Sequence, residues 1–182
     1  MTEATIRSER TDDYTVIRAL VVAAFESETE GDLVDNIRTS ENYLPDLALV
    51  AELDGAVVGH IMISRVDLVN DETRRQVHSL APLAVAPGFQ GRGIGGQLVR
   101  AAIAESDKLG LSLVVLEGSP TYYRRFGFEH SVLHGIHIDL PDWAPPEAAQ
   151  VIRLTSYDPS IRGRVVYPPA FDVVGEAEDS AP

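Results

Sequence analysis

Residues 80 to 99 read Leu80-Ala-Pro-Leu-Ala-Val-Ala-Pro-Gly-Phe-Gln-Gly-Arg-Gly-Ile-Gly-Gly-Gln-Leu-Val99: an apolar strand, a tight turn, then glycines that open a helix. Glycine at positions 91, 93, 95 and 96 lets the backbone approach a ligand closely. The N–H groups of a helix's first turn have no partner inside the helix, and with the positive end of the helix dipole they favour an anion. Glycines so placed cost helix stability unless close approach is needed. The stretch predicts an anion cradle, with a phosphorylated cofactor as its first candidate ligand.

Upstream, Leu47 to Leu53 and Ala56 to Val66 are β-branched apolar runs on either side of Asp54-Gly55, a dipeptide that favours a tight hairpin turn. Asn70-Asp71-Glu72 marks a second turn, and Gln76 to Ala86 returns as a strand, so three consecutive antiparallel strands are expected. Residues 4 to 7 suit a short first strand. Thr11 is placed to cap a helix running to about Phe25, with Asp12 and Asp13 in its first turn and Tyr14, Ile17, Val21 and Ala24 at helical spacing. A second short helix is expected from Asp32 to Thr39.

Downstream, the helix after the glycines presents Leu98, Val99, Ala102 and Leu109 on one side and Gln97, Arg100, Asp107 and Lys108 on the other, with Gly110 as its stop. Leu111 to Leu116 then reads as a buried strand delivered by a parallel crossover. Ser119 to Arg125 suits a short helix, Phe128 to Leu140 a strand with loops, and Pro141 to Pro146 a loop bearing Trp143. Val151 to Leu154 and Gly163 to Tyr167 are closing strands. The segment 175–182 is small and acidic and is expected to be a disordered tail.

A chain of 182 residues, 45% hydrophobic, suits one domain, placed at 1–174. Fifteen Lys and Arg against 28 Asp and Glu give a net charge of −13, which argues against a nucleic-acid partner. An acidic surface serves solubility and would also suit a cationic small substrate. The absence of cysteine removes disulfides, zinc–thiolate sites and thiol catalysis, and fits a reducing cytosol. The opening Met-Thr-Glu-Ala-Thr lacks the features of a secretory signal, and no run approaches ~18 apolar residues, so a cytoplasmic protein without a membrane span is expected. His134 and His137 stand three apart, on opposite faces if the segment is a strand, and neither they nor His60 and His130 complete a metal-ligand pattern, so no metal is expected.

Gly91-Arg-Gly-Ile-Gly-Gly96 fits the dinucleotide fingerprint, and Glu117 falls where a ribose-binding acid would stand. Against that reading, Pro87-Gly88-Phe89-Gln90 separates strand from glycines, and a hairpin meander precedes them. A Walker loop would need Lys-Ser or Lys-Thr after the glycines, and neither is present. The pattern that fits is Gln90-Gly91-Arg92-Gly93-Ile94-Gly95 following Leu83-Ala84-Val85, which resembles the acetyl-CoA loop of the GNAT N-acetyltransferases. Tyr122-Tyr123-Arg124-Arg125-Phe126-Gly127-Phe128 resembles a second motif of that family, in the family's order. Val57-Val58-Gly59-His60-Ile61 and Gly163-Arg164-Val165-Val166-Tyr167-Pro168-Pro169-Ala170-Phe171 are similar to segments of its bacterial YhbS-type subgroup.

The resemblance, over most of residues 4 to 174, implies an α+β fold: a splayed, mostly antiparallel mixed sheet flanked by helices, with acetyl-CoA in the gap between the strands ending near Val85 and Glu117. It implies that Leu83, Ala84, Val85, Gln90, Gly91, Arg92, Gly93, Ile94, Gly95 and Gly96 bind acetyl-CoA as co-substrate. It also implies that Tyr123 is the general acid for the departing thiolate. Many relatives carry a glutamate on the strand before the loop, but Leu80 to Val85 has none. Glu117 and His78 are the candidate bases, although such residues are more often solvated or hydrogen-bonded structural groups, and a water chain or an amine arriving neutral would need neither. The expected activity is transfer of acetyl to a primary amine on a small molecule or peptide, by direct attack in a ternary complex. A CoA-binding sensor without catalysis is the alternative, and a nucleotide-dependent oxidoreductase the third reading. The family leaves room for a homodimer that no feature of this chain demands.

Overall fold

The computed structural model describes residues 3–173 of the 182. In chain order the elements are β1 (Thr5–Ser8), α1 (Tyr14–Phe25), α2 (Glu28–Arg38), β2 (Ala48–Leu53), β3 (Ala56–Val69), β4 (Arg74–Val85), α3 (Ile94–Lys108), β5 (Leu113–Glu117), α4 (Pro120–Tyr123), β6 (Glu129–His130), β7 (Ile136–His137), β8 (Ala149–Arg153) and β9 (Gly163–Val166). The tail expected at 175–182 lies outside the described residues.

Two compact units are formed: one from the residues up to Ser64, Ala81–Glu105 and the segment from Pro168, the other from Arg65–Leu80 and Ser106–Tyr167. The strands β3 and β4 and the helix α3 run from one unit into the other.

In the first unit, β1 pairs antiparallel with β2, Thr5 opposite Glu52, and β2 pairs antiparallel with β3, Ala48 opposite Met62. The β2–β3 turn is the one that Asp54-Gly55 predicts, with positive φ at both residues, 50° and 80°, a turn whose twist matches that of the strands it joins. Apolar positions of α1 and α2 repeat at helical spacing, so Ile17, Val21, Val34 and Ile37 meet Val50, Met62 and Ala84 in one buried cluster. Where a capped helix start was expected at Thr11, residues Thr11–Asp13 form a 3-10 turn without a side-chain cap. The reason is Asp13: its carboxylate takes the Arg10 amide at 2.7 Å and both terminal nitrogens of Arg7, so it fastens the turn rather than capping α1. The second helix begins earlier than expected, because Ser27 accepts from the Thr29 amide at 3.1 Å.

In the second unit, β4 pairs parallel with β5, His78 opposite Val114 and Ser79 opposite Val115. β5 pairs antiparallel with β8, and β8 with β6. The end of β3 pairs antiparallel with β9, which runs parallel to β7. The fold is the expected mixed, mostly antiparallel sheet flanked by helices. One detail of α3 differs from the sequence reading. Leu109 lies beyond α3 and is 46% exposed, because Gly110, at φ 74°, turns the chain before another helical residue is added.

Candidate active site

The cofactor motif lies within the first unit. The turn between β4 and α3 opens with a 3-10 turn, Pro87–Phe89, and continues through Gly91 at φ 73° and Gly93 at φ 86°. Side chains strain at these dihedrals, and a Cβ at Gly91 would meet nothing within 4 Å, so the glycine is there for backbone shape. The Gly93 carbonyl accepts from the Gln97 amide at 3.1 Å as the first bond of α3. The amides of residues 93 to 96 precede that first rung, so no carbonyl of α3 can satisfy them. Such a row of donors fits a pyrophosphate.

Side chains brace the turn. Gln90 Nε2 donates to the Val85 carbonyl at 3.0 Å, and Arg92 Nη2 to the Gly88 carbonyl at 2.8 Å, with the guanidinium 5.0 Å from the Phe89 ring centre. Arg92 thus holds the loop with one donor and is exposed with the rest. Along β4, Ala84 is buried in the core while Leu83 and Val85 are half-buried, the alternation a strand imposes. Ile94 is buried, so among the expected cofactor residues it contributes backbone and packing. Gly59 on β3 makes that packing close: a Cβ there would come 2.9 Å from Leu98 Cδ1 and 3.3 Å from Ile94 Cγ2.

The other candidates lie in the second unit. Tyr123 ends α4, which Ser119 caps by accepting from the Tyr122 amide. Its ring sits edge-on to Tyr122 at 4.9 Å and to Phe128 at 5.6 Å. No described residue exchanges a hydrogen bond with its hydroxyl. Burial, with Tyr122 beside it, pushes the phenol above its usual range, so it is protonated at neutral pH. Gly118 makes room for this ring: a Cβ at 118 would stand 2.7 Å from Tyr123 Cε2. Sequence reading missed Gly118, although a glycine directly after Glu117, where the chain leaves a strand, is the kind of signal that marks a close approach.

Glu117 closes β5 with an exposed carboxylate, and Tyr167 donates to its Oε1 at 2.7 Å. The Tyr167 phenol also shares a hydrogen bond with the Ser79 side chain. Burial, then the charge and hydrogen bond of Glu117, push the Tyr167 phenol well up. Sequence reading placed Tyr167 in a closing strand; it follows β9 instead, next to Pro168. His78, beside Ser79 on β4, is buried with Nδ1 unpartnered, and burial followed by the charge of Arg65 bring it down to about 4. His78 is closed off from solvent while Glu117 carries its carboxylate at the surface end of β5, and that accessibility favours Glu117 of the two candidate bases. Among the described residues no cluster of His, Asp and Glu could hold a metal, and no helix is long and apolar enough to cross a membrane.

A glycine turn feeding a helix N-terminus, a mixed sheet and a Tyr-bearing turn after the next strand define a class of acyltransferases, and residues 5–131 match the family model of the acetyltransferase (GNAT) domain. The chain belongs to the GNAT acetyltransferase family. It is similar to two Escherichia coli proteins that bear the description uncharacterized N-acetyltransferase. The match to YjhQ is 39% identical over 117 residues, 64% of this chain and 65% of YjhQ. The match to YhbS is 37% identical over 150 residues, 82% of this chain and 86% of YhbS. The crystal structure of E. coli YhbS in complex with CoA superposes with a TM-score of 0.82 at 33% identity, over 94% of this chain and 96% of that one. A GNAT acetyltransferase from Brucella melitensis in complex with acetyl-CoA superposes at 0.75, also 33% identical, over 94% and 100%.

Proposed function

We propose that residues 1–174 act as one N-acetyltransferase domain that moves acetyl from acetyl-CoA to a primary amine by direct attack in a ternary complex. The observation that carries this reading is the row of amides at 93–96 behind a positive-φ glycine turn, in a chain whose relatives YhbS and the Brucella protein hold CoA and acetyl-CoA. These amides bind the pyrophosphate, Arg92 adds charge, and the backbone of Leu83 and Val85 pairs with the pantetheine arm.

The neutral amine attacks the thioester carbonyl carbon, a C–N bond forms, and the C–S bond breaks. Glu117 takes the amine proton, and Tyr123 donates toward the departing sulfur. The raised pKa of Tyr123 keeps its proton in place for this task and suits it to stabilising charge on sulfur by hydrogen bonding as the bond stretches. The net charge of −13 favours cationic acceptors.

A second reading, a CoA sensor without turnover, draws on one observation: Leu80 to Val85 of β4 carries no carboxylate. The two separate in an assay of thiol release from acetyl-CoA with polyamines, aminoglycosides, amino acids and peptide N-termini as acceptors. Amine-dependent release supports the transferase, whereas tight acetyl-CoA binding with no release on any acceptor supports the sensor.

A further inference from the structure

Positions 79, 117 and 167 are far apart in sequence and come together around one phenol. The Tyr167 hydroxyl donates to Glu117 Oε1 at 2.7 Å and also shares a hydrogen bond with the Ser79 side chain. Ser79 sits opposite Val115, two residues before Glu117, so this second partner of the phenol is fixed by the strand pairing that carries the carboxylate. Tyr167 is itself restrained, between β9 and Pro168-Pro169, and a tyrosine loses little rotamer freedom on being held. Glu117 is the opposite case: an exposed glutamate has three torsions to restrain. A half-buried phenol that donates to an exposed carboxylate restrains it while using one of its several lone-pair sites.

We infer that Tyr167 is a positioning residue for acetyl transfer, fixing the Glu117 carboxylate where it meets the proton of the attacking amine. The inference rests on the proposed role of Glu117. In the step it serves, the lone pair of the neutral amine forms the new C–N bond, the C–S bond breaks with its pair leaving on sulfur, and the N–H bond breaks so that its proton goes to Glu117 and its pair stays on nitrogen. Glu117 then returns the proton to water.

The test is a double-mutant cycle on thiol release from acetyl-CoA, with Tyr167→Phe, Glu117→Gln and the two combined. The acceptor is whichever amine of the panel turns over or, if none does, water through slow acetyl-CoA hydrolysis. Tyr167→Phe is expected to lower kcat about tenfold to a hundredfold. The amine KM and acetyl-CoA affinity should stay within about twofold, and no further loss should follow in the Glu117→Gln background. The same fractional loss in both backgrounds, or no loss from Tyr167→Phe, overturns the inference while leaving Glu117 as base. Undiminished kcat in Glu117→Gln removes the base itself, and absence of turnover on either probe by the unmodified protein removes the proposed activity; each takes this inference with it. Should Tyr167→Phe fold poorly, Ser79→Ala removes the second partner of the phenol and must show a smaller loss, again absent when Glu117 is Gln.

Discussion

Tyr123 shows how one residue's surroundings suit it to one task. Its ring is wedged between Tyr122, Phe128 and Gly118, its hydroxyl has no partner among the described residues, and burial keeps its proton on. Tyr123→Phe keeps the ring and removes the proton, so kcat should fall by roughly 10² to 10⁴ while calorimetry finds acetyl-CoA affinity nearly unchanged. Full kcat with a saturating amine would exclude the role. Gly118→Ala should act in the same direction through geometry, because the added methyl must push the ring away from 2.7 Å. A smaller loss of kcat than in Tyr123→Phe, with a melting temperature close to that of the unmodified chain, is the expected pattern. Tyr123 was legible in the sequence because its spacing to Gly127 is a local motif. Tyr167 was not, since its partners are 50 and 88 positions away, as the separations 167 − 117 and 167 − 79 show, and no local pattern encodes a contact of that range.

Among the elements, the β4–turn–α3 unit was read closely from sequence because each of its parts is local: an apolar strand, positive-φ glycines, and a helix that Gly110 ends. Gly91→Val tests its purpose. The substitution meets open space, yet it forces a side chain into φ 73°, at about 1–2 kcal/mol, and crowds the amides. It should weaken acetyl-CoA binding by calorimetry well beyond its effect on the melt. A second assembly of elements was invisible in the sequence. Glu9, just past β1, accepts from Arg38 Nε at 2.9 Å, Tyr43 at 2.8 Å and His60 Nε2 at 2.9 Å, and the side chains of Glu9 and His60 are fully buried. His60 on β3 completes no metal-ligand pattern in the sequence, and its acidic partner lies 51 residues away. With Nε2 given to Glu9 and Nδ1 buried without a partner, the imidazole is neutral and donates. Glu9→Gln leaves Arg38 with only its half-exposed partner Asp35, so chemical denaturation should show a loss of about 3 kcal/mol.

For the molecule as a whole, the same network sets the response to acid. Burial alone would raise the Glu9 carboxyl, but hydrogen bonds from His60 and Arg38 outweigh it and bring the group from 4.5 to about 2. Its contribution is full above pH 4.5 and is lost as pH falls toward 2. Burial also depresses His60, so the unfolded chain takes up that proton first and stability declines as pH drops through 6.5. Thermal melts should therefore change little between pH 7 and 8, decline below 6.5, and fall steeply below 4.5; a maximum near pH 5 would contradict this. The composition argued against a nucleic-acid partner and left no thiol for catalysis, and the two GNAT motifs decided among phosphate-bearing cofactors. The acceptor was not legible, because acceptor choice depends on loop shape rather than on a local pattern. The claim underlying all of this is that the glycine turn at 91–96 holds CoA. Thermal shift and calorimetry with acetyl-CoA, CoA, NAD and ATP test it most directly. Acetyl-CoA and CoA at a hundredfold their dissociation constants should stabilise the chain by about 2.7 kcal/mol, roughly 5–10 °C in Tm, with NAD and ATP far behind. Stabilisation by NAD and not by CoA would contradict the account.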